Sequence, residues 1–180
     1  MTTPNTPSLR RGVRLAAFVT LAMAAGCAVP GPVFPPVDPP VLWPASGDAP
    51  RFAYVGKIEG EADLKRPRSL WRWFVDLVGG PEPAAAIQSA FGVAVTPAWV
   101  LHVSDPDAHL VHRFDLEGRG YRALRDAGDG RSFVTPIGLA LSADKLLVSD
   151  RALKTVTVLS LSGEPEAILG AGLLEGPVGV

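Results

Sequence analysis

From residue 91 onward, short runs of apolar residues alternate with polar ones, and the same order of runs occurs twice. The first unit is Phe91 to Gly118 and the second is Ile137 to Gly163. Gly92 matches Gly138, and Val103-Ser104-Asp105 matches Val148-Ser149-Asp150. Beyond those aspartates the units align without a gap: Val111 with Val156, Phe114 with Leu159, Leu116 with Leu161, Gly118 with Gly163. Period-two alternation bounded by turn residues predicts strands. Each unit therefore predicts a short strand after its first glycine, a second ending in Ser-Asp, a third rich in valine and leucine, and a glycine turn. A weaker fourth run follows, Tyr121 to Arg125 in the first unit and Glu166 to Leu169 in the second. Pro177-Val178-Gly179-Val180 repeats the opening of a unit, so the glycine spacings are 46 and 41 residues.

The pattern changes upstream. Arg51 to Ile58 alternates as one further strand, with no strand following at hairpin distance. Ser69 to Val78 places Leu70, Trp73, Phe74 and Leu77 on one face of a short helix, with Ser69 as N-cap and Gly79-Gly80 as its stop. That helix is expected to lie on the domain, with contact to lipid or a partner as the alternative. Residues 28–50 hold eight prolines. So few backbone donors favour extended polyproline II, a semi-rigid spacer of several tens of ångströms at ~3.1 Å per residue. Residues 1–14 carry Arg10, Arg11 and Arg14 and no acid, followed by a largely apolar run from Leu15 to Ala25. A basic start, an apolar stretch too short to span a bilayer and a small-residue site describe a secretory signal.

The single cysteine of the chain follows that run directly, as Ala24-Ala25-Gly26-Cys27. This resembles the lipobox of bacterial lipoproteins, although Ala24 stands where leucine is usual. The resemblance implies cleavage before Cys27 and a diacylglyceryl group on its thiol, a membrane anchor reinforced by each buried CH₂. Ala28, in place of aspartate, implies the outer membrane rather than the inner.

Four short strands in 40–50 residues, repeated, describe a blade of a β-propeller. The residues resemble NHL repeats at Phe91-Gly92-Val93-Ala94-Val95, at Leu101-His102-Val103-Ser104-Asp105 and from Val111 to Gly118. Leu147 and Ser160 depart from that pattern, where an aromatic residue and an aspartate are common. The whole layout is similar to a group of bacterial NHL-repeat lipoproteins. The expected fold is thus all-β, a partial propeller of two four-stranded antiparallel blades with a short Trp-rich helix. Its expected divisions are a signal at 1–26, a tether at 27–50, a closing strand and helix at 51–90, and blades at 91–180. NHL propellers usually have six blades and a ring needs at least four. The reading therefore expects a fragment of a longer protein, in which residues 51–58 would complete the last blade, or else pair with the first.

Composition narrows the chemistry. The chain has 180 residues, 17 basic and 18 acidic, and loss of Arg10, Arg11 and Arg14 with the signal would leave 14 against 18. That balance argues against nucleic acid as partner. One cysteine forbids an internal disulfide. No phosphate-binding loop, nucleophile elbow or dinucleotide fingerprint occurs. His102, His109 and His112 are the three histidines; His102 and His112 would lie on adjacent strands, but nothing at their places in the second unit repeats them. Asp105 and Asp150 end equivalent strands, where they are expected either to cap turns or to bind a ligand at a rim. No catalytic residue, cofactor or metal is expected. The expected role is a non-catalytic envelope module, held to the membrane through Cys27 and binding a protein partner. The alternatives are a lactonase or lyase whose catalytic blades lie beyond Val180, and a fragment without function of its own.

Overall fold

The computed structural model describes residues 31–44, 49–65, 77, 79–80 and 84–180. The signal, Cys27 and nearly all of the predicted helix from Ser69 to Val78 lie outside the described residues. Among these residues no helix is long and apolar enough to cross a membrane.

The two repeat units fold alike. Strands β3 (Val93–Val95), β4 (Val100–Asp105), β5 (Leu110–Asp115) and β6 (Gly120–Leu124) form one antiparallel meander. Strands β9 (Pro136–Ser142), β10 (Lys145–Asp150), β11 (Thr155–Ser160) and β12 (Pro165–Leu169) form the second. Both sheets run in chain order, so each is built from local hairpins. Registers repeat as well: Val103 faces His112, and Val148 faces Thr157. Even turn strain recurs, since His109 and Lys154 occupy equivalent positions with φ of 56° and 59°.

Because side chains alternate across a strand, each sheet has two faces. In the first sheet Ala94, His102, Val111 and Leu124 share one face, and Leu101, Val103 and Phe114 the other. The first of these meets Leu146, Val148 and Leu159 of the second sheet, forming the larger core. A hairpin that links the sheets seals this core with Ala127 and Phe133. Its strands are β7 (Asp126–Gly128) and β8 (Arg131–Ser132). Asp129 and Gly130 at its tip both have positive φ, the I′ geometry that an Asp-Gly pair favours. Its strands are too short for alternation along the sequence to mark them.

The opposite face of the first sheet is also covered. A 3₁₀ turn, Glu61–Leu64, presses Leu64 at 0% exposure onto Val103 and Phe114, with Ile58 and Ile87 beside it. The Asp63 carboxylate accepts the Glu59 and Gly60 amides at 2.7 and 3.1 Å, and Arg119 Nη1 donates to the Leu64 carbonyl at 3.0 Å. This cap gives the first sheet the cover that an end unit of a stacked array requires.

Upstream, the strand expected over 51–58 is only Phe52–Ala53 (β2), paired with Leu42–Trp43 (β1) from the proline-rich stretch. Its partner precedes it and belongs to neither sheet. Part of the expected spacer is thus paired rather than free: Leu42 and Trp43 keep their amides and carbonyls, and the Tyr54 amide continues the ladder to the Val41 carbonyl at 2.9 Å. Lys65 Nζ donates to the Pro32 carbonyl at 3.1 Å, and Phe34 lies against Gly56.

The joint between sheets is a backbone contact. A Cβ on Gly92 would collide with the Ile137 carbonyl oxygen of β9. A Cβ on Gly138 would stand 3.0 Å from the Gly179 Cα and 3.1 Å from the Val178 oxygen. The same glycine thus lets the following chain approach in each unit, strand β9 at Gly92 and residues 178–179, which form no strand, at Gly138. Gly92→Ala should lower unfolding free energy by roughly 1–3 kcal/mol, as overpacking does. Gly179→Ala, where a Cβ meets nothing within 4 Å, should be neutral; denaturant titration of both variants measures the contrast.

Candidate functional site

Asp105 and Asp150 end β4 and β10 and are both 0% exposed. Asp150 Oδ2 accepts the Val134 and Thr135 amides at 2.7 and 3.0 Å, and Oδ1 accepts those of Ala152 and Leu153 at 2.9 and 3.0 Å. Asp105 repeats the arrangement with Gln88 at 2.6 Å, Ser89 at 3.1 Å and Ala108 at 3.0 Å. His112 Nε2 supplies its fourth bond at 3.1 Å. A carboxylate offers about four acceptor positions, and here all are filled from within the chain. Each aspartate ties the segment that enters its sheet to the turn that follows its own strand. The geometry is that of turn capping on a larger scale.

Ser104 and Ser149 precede these aspartates and serve the joint. Their hydroxyls accept the Gly92 and Gly138 amides at 2.7 and 2.9 Å, and Ser104 Oγ donates to the Ile137 carbonyl across the joint at 2.6 Å. In the sequence these serines stand out only as repeat positions beside the aspartates. Their recurrence beside a recurring glycine was the available sign of the structural task.

The three histidines separate. His102 pairs in register with Arg113, whereas His112 pairs with Val103, so the two rings lie on opposite faces of one sheet. His109 sits in the β4–β5 turn with Nδ1 against the Val134 carbonyl. Among the described residues no group of three His, Cys, Asp or Glu side chains is placed to hold a metal.

His112 belongs to a buried string. Nε2 faces Asp105 at 3.1 Å and Nδ1 faces the Tyr121 hydroxyl at 2.9 Å, while the ring stacks on Phe114 at 5.7 Å. An ionised carboxylate only accepts, so Nε2 carries the proton and Nδ1 accepts from Tyr121. Burial would raise the Asp105 carboxyl, but the three amides and His112 outweigh it and hold it below the usual range. Burial lowers His112 against the pull of Asp105, and burial raises the Tyr121 phenol. The string is thus a neutral imidazole between an ionised acid and a protonated phenol. Asp105 and His112 are closed to solvent, and the string's geometry fastens the cap to the sheet.

An open apolar groove of about 590 Å³ runs between the proline-rich segment and the ends of the first sheet. Pro32, Phe34, Tyr54, Val55 and Trp99 line it, and Glu117 and Arg119 are its charged residues. Such a lining accepts an apolar surface but assembles no acid–base pair.

No family model matches the chain, and a search among curated proteins finds no match either.

Two predictions follow from the buried polar groups. Asp150→Ala strands four amides and should cost roughly 3 kcal/mol or more, whereas exposed Asp107→Ala should stay within about 0.5 kcal/mol; urea unfolding measures both. His102 is 0% exposed in the core between the sheets, and burial, then the Arg113 charge, lowers its pKa to about 4. The unfolded chain binds the proton more tightly, so this contribution is complete above pH ~6.5 and is lost as pH falls toward 4. His102→Leu, the residue of the second unit, should reduce the loss of stability between pH 7 and 4 by about 2–3 kcal/mol. Unfolding free energies across that range check it.

Proposed function

We propose that this chain is a lipid-anchored envelope protein whose two sheets are blades of the propeller kind, and that it acts as a non-catalytic module binding a protein partner at the membrane. The blade reading is carried by the joint. Gly92 receives the β9 backbone, and Gly138 receives Val178–Gly179 in the same way, so successive units meet by one rule. The resemblance of the repeats to NHL units accords with this. The Ala-Ala-Gly-Cys27 site and the signal before it support the anchor, with the outer membrane favoured by Ala28. The filled carboxylates of Asp105 and Asp150, and an Asp105–His112 pair closed to solvent, favour binding over chemistry. The exposed side chains of Trp43, Phe52, Tyr54 and Trp99 offer apolar contact area for a partner.

The anchor is tested in cells that process lipoproteins. The wild-type chain should fractionate with membranes, and mass spectrometry should find its first residue at 27 with a diacylglyceryl addition. Cys27→Ser should lose that mass and remain uncleaved at this site. An unmodified thiol on the processed wild-type chain overturns the reading.

A further inference from the structure

The proline-rich stretch does not stand clear of the chain that follows it. Lys65 Nζ holds the Pro32 carbonyl, Phe34 lies against Gly56, and β1 pairs with β2. Pro32, Phe34 and Tyr54 line one groove. Pro32 follows Cys27 by five residues, a reach of at most about 18 Å in extended chain. A lipid on Cys27 would therefore keep this groove and the β1–β2 ribbon near the bilayer surface, instead of lifting them several tens of ångströms away.

What the ribbon offers there is apolar. Trp43 pairs with Phe52, and the Tyr54 amide bonds to the Val41 carbonyl, so Val41, Trp43, Phe52 and Tyr54 share one face. Their exposures are 58%, 66%, 65% and 51%, and the Trp43 and Phe52 rings meet at 6.2 Å. No acid occurs in residues 39–44 or 51–58, and Arg51 and Lys57 flank the face; Lys57 pairs with exposed Glu59. Tryptophan and tyrosine, each an apolar body with a polar tip, settle at the headgroup level of a bilayer. Neighbouring basic groups add attraction to anionic lipid. A carboxylate on this face would have to be desolvated on contact, and there is none.

We infer that this face of the ribbon is a membrane-contacting surface, with Val41, Trp43, Phe52 and Tyr54 entering the headgroup region of the bilayer that carries the Cys27 lipid. The proline-rich stretch then orients the protein on the membrane and does not space it away. The inference rests on the proposed anchor, and it leaves Trp99 to a protein partner.

A lipid on Cys27 occupies the only thiol of the chain. A cysteine introduced elsewhere in the lipidated protein can therefore be labelled alone with an environment-sensitive fluorophore. The protein is added from detergent to vesicles of phosphatidylcholine and phosphatidylglycerol that carry a lipid-borne quencher. Label at Val41→Cys, which leaves the aromatic side chains of the face in place, should shift to the blue. It should also be quenched several-fold more than label at Asp107→Cys, an exposed position in the β4–β5 turn. Phe52→Cys gives a second reading from the neighbouring strand should Val41→Cys disturb the ribbon. Adding Trp43→Ser and Phe52→Ser to the Val41→Cys chain should return its quenching toward that of Asp107→Cys, while the protein still floats with the vesicles. Equal quenching at Val41→Cys, Phe52→Cys and Asp107→Cys in floating protein overturns the inference and leaves the anchor standing. So does a label at Val41→Cys and Phe52→Cys that is shielded from water yet untouched by the quencher, the result expected of a protein partner. A chain that lacks the diacylglyceryl mass and does not float overturns the anchor and this inference with it.

Discussion

The close approach of one unit's backbone to a glycine of the unit before it organises this molecule. A sheet of four short strands cannot hide both faces by itself. At Gly92 the absent side chain lets β9 come near enough for Ser104 to bond across to the Ile137 carbonyl. That contact sets the distance at which Val111 and Leu124 reach Leu146, Val148 and Leu159. Burial of those aliphatic side chains, at about 25 cal/mol per Å² of apolar surface, then outweighs the cost of ordering the loops between. The joint is specified by a glycine and a serine, while its strength comes from the residues behind it.

The aspartates extend the same logic to loops. Asp150 gathers the entry to β9 and the turn after β10, and Asp105 does so for the segment that precedes β3. In the second unit the gathered segment is a linker between sheets; in the first it is the cap. The array thus uses one device both to connect units and to finish its end. His112 and Tyr121 are additions peculiar to the capped face; Thr157 stands at the place of His112 in the second sheet. Thr157 instead donates to the Ala127 carbonyl at 3.1 Å, holding the linking hairpin.

Much of this was legible in the residues because it repeats. Strands β4, β5, β10 and β11 follow directly from alternation, and the paired Gly, Ser and Asp positions mark turns that both units need. What was hidden depends on context that no short window carries. The cap is a 3₁₀ turn whose single buried leucine has no periodicity. The Leu42–Trp43 strand lies amid prolines, whose missing donors suggest extended coil. The opposite facing of His102 and His112 follows from register, since neighbours across strands pair at positions summing to a constant, and only the true register tells which rings share a face.

The substitution pattern between the units carries one more physical lesson. His102 and Arg113 lie on the buried face of the first sheet, where the second unit has Leu147 and Val158 on the open one. Arg113 escapes the core by donating to the Leu161 carbonyl at 3.0 Å, and Arg122 reaches Ser162 and Glu164 at 2.8 Å. Polar side chains at the covered joint therefore grip the turn of the neighbouring sheet and fix its register. Among the described residues His102 finds no such partner for either ring nitrogen, and it keeps its place only as a neutral ring. The aliphatic residues of the open face make no demand of that kind. A surface without directional bonds is tolerant of the sheet it meets, whereas the buried joint, studded with arginines and a serine, accepts one neighbour in one position.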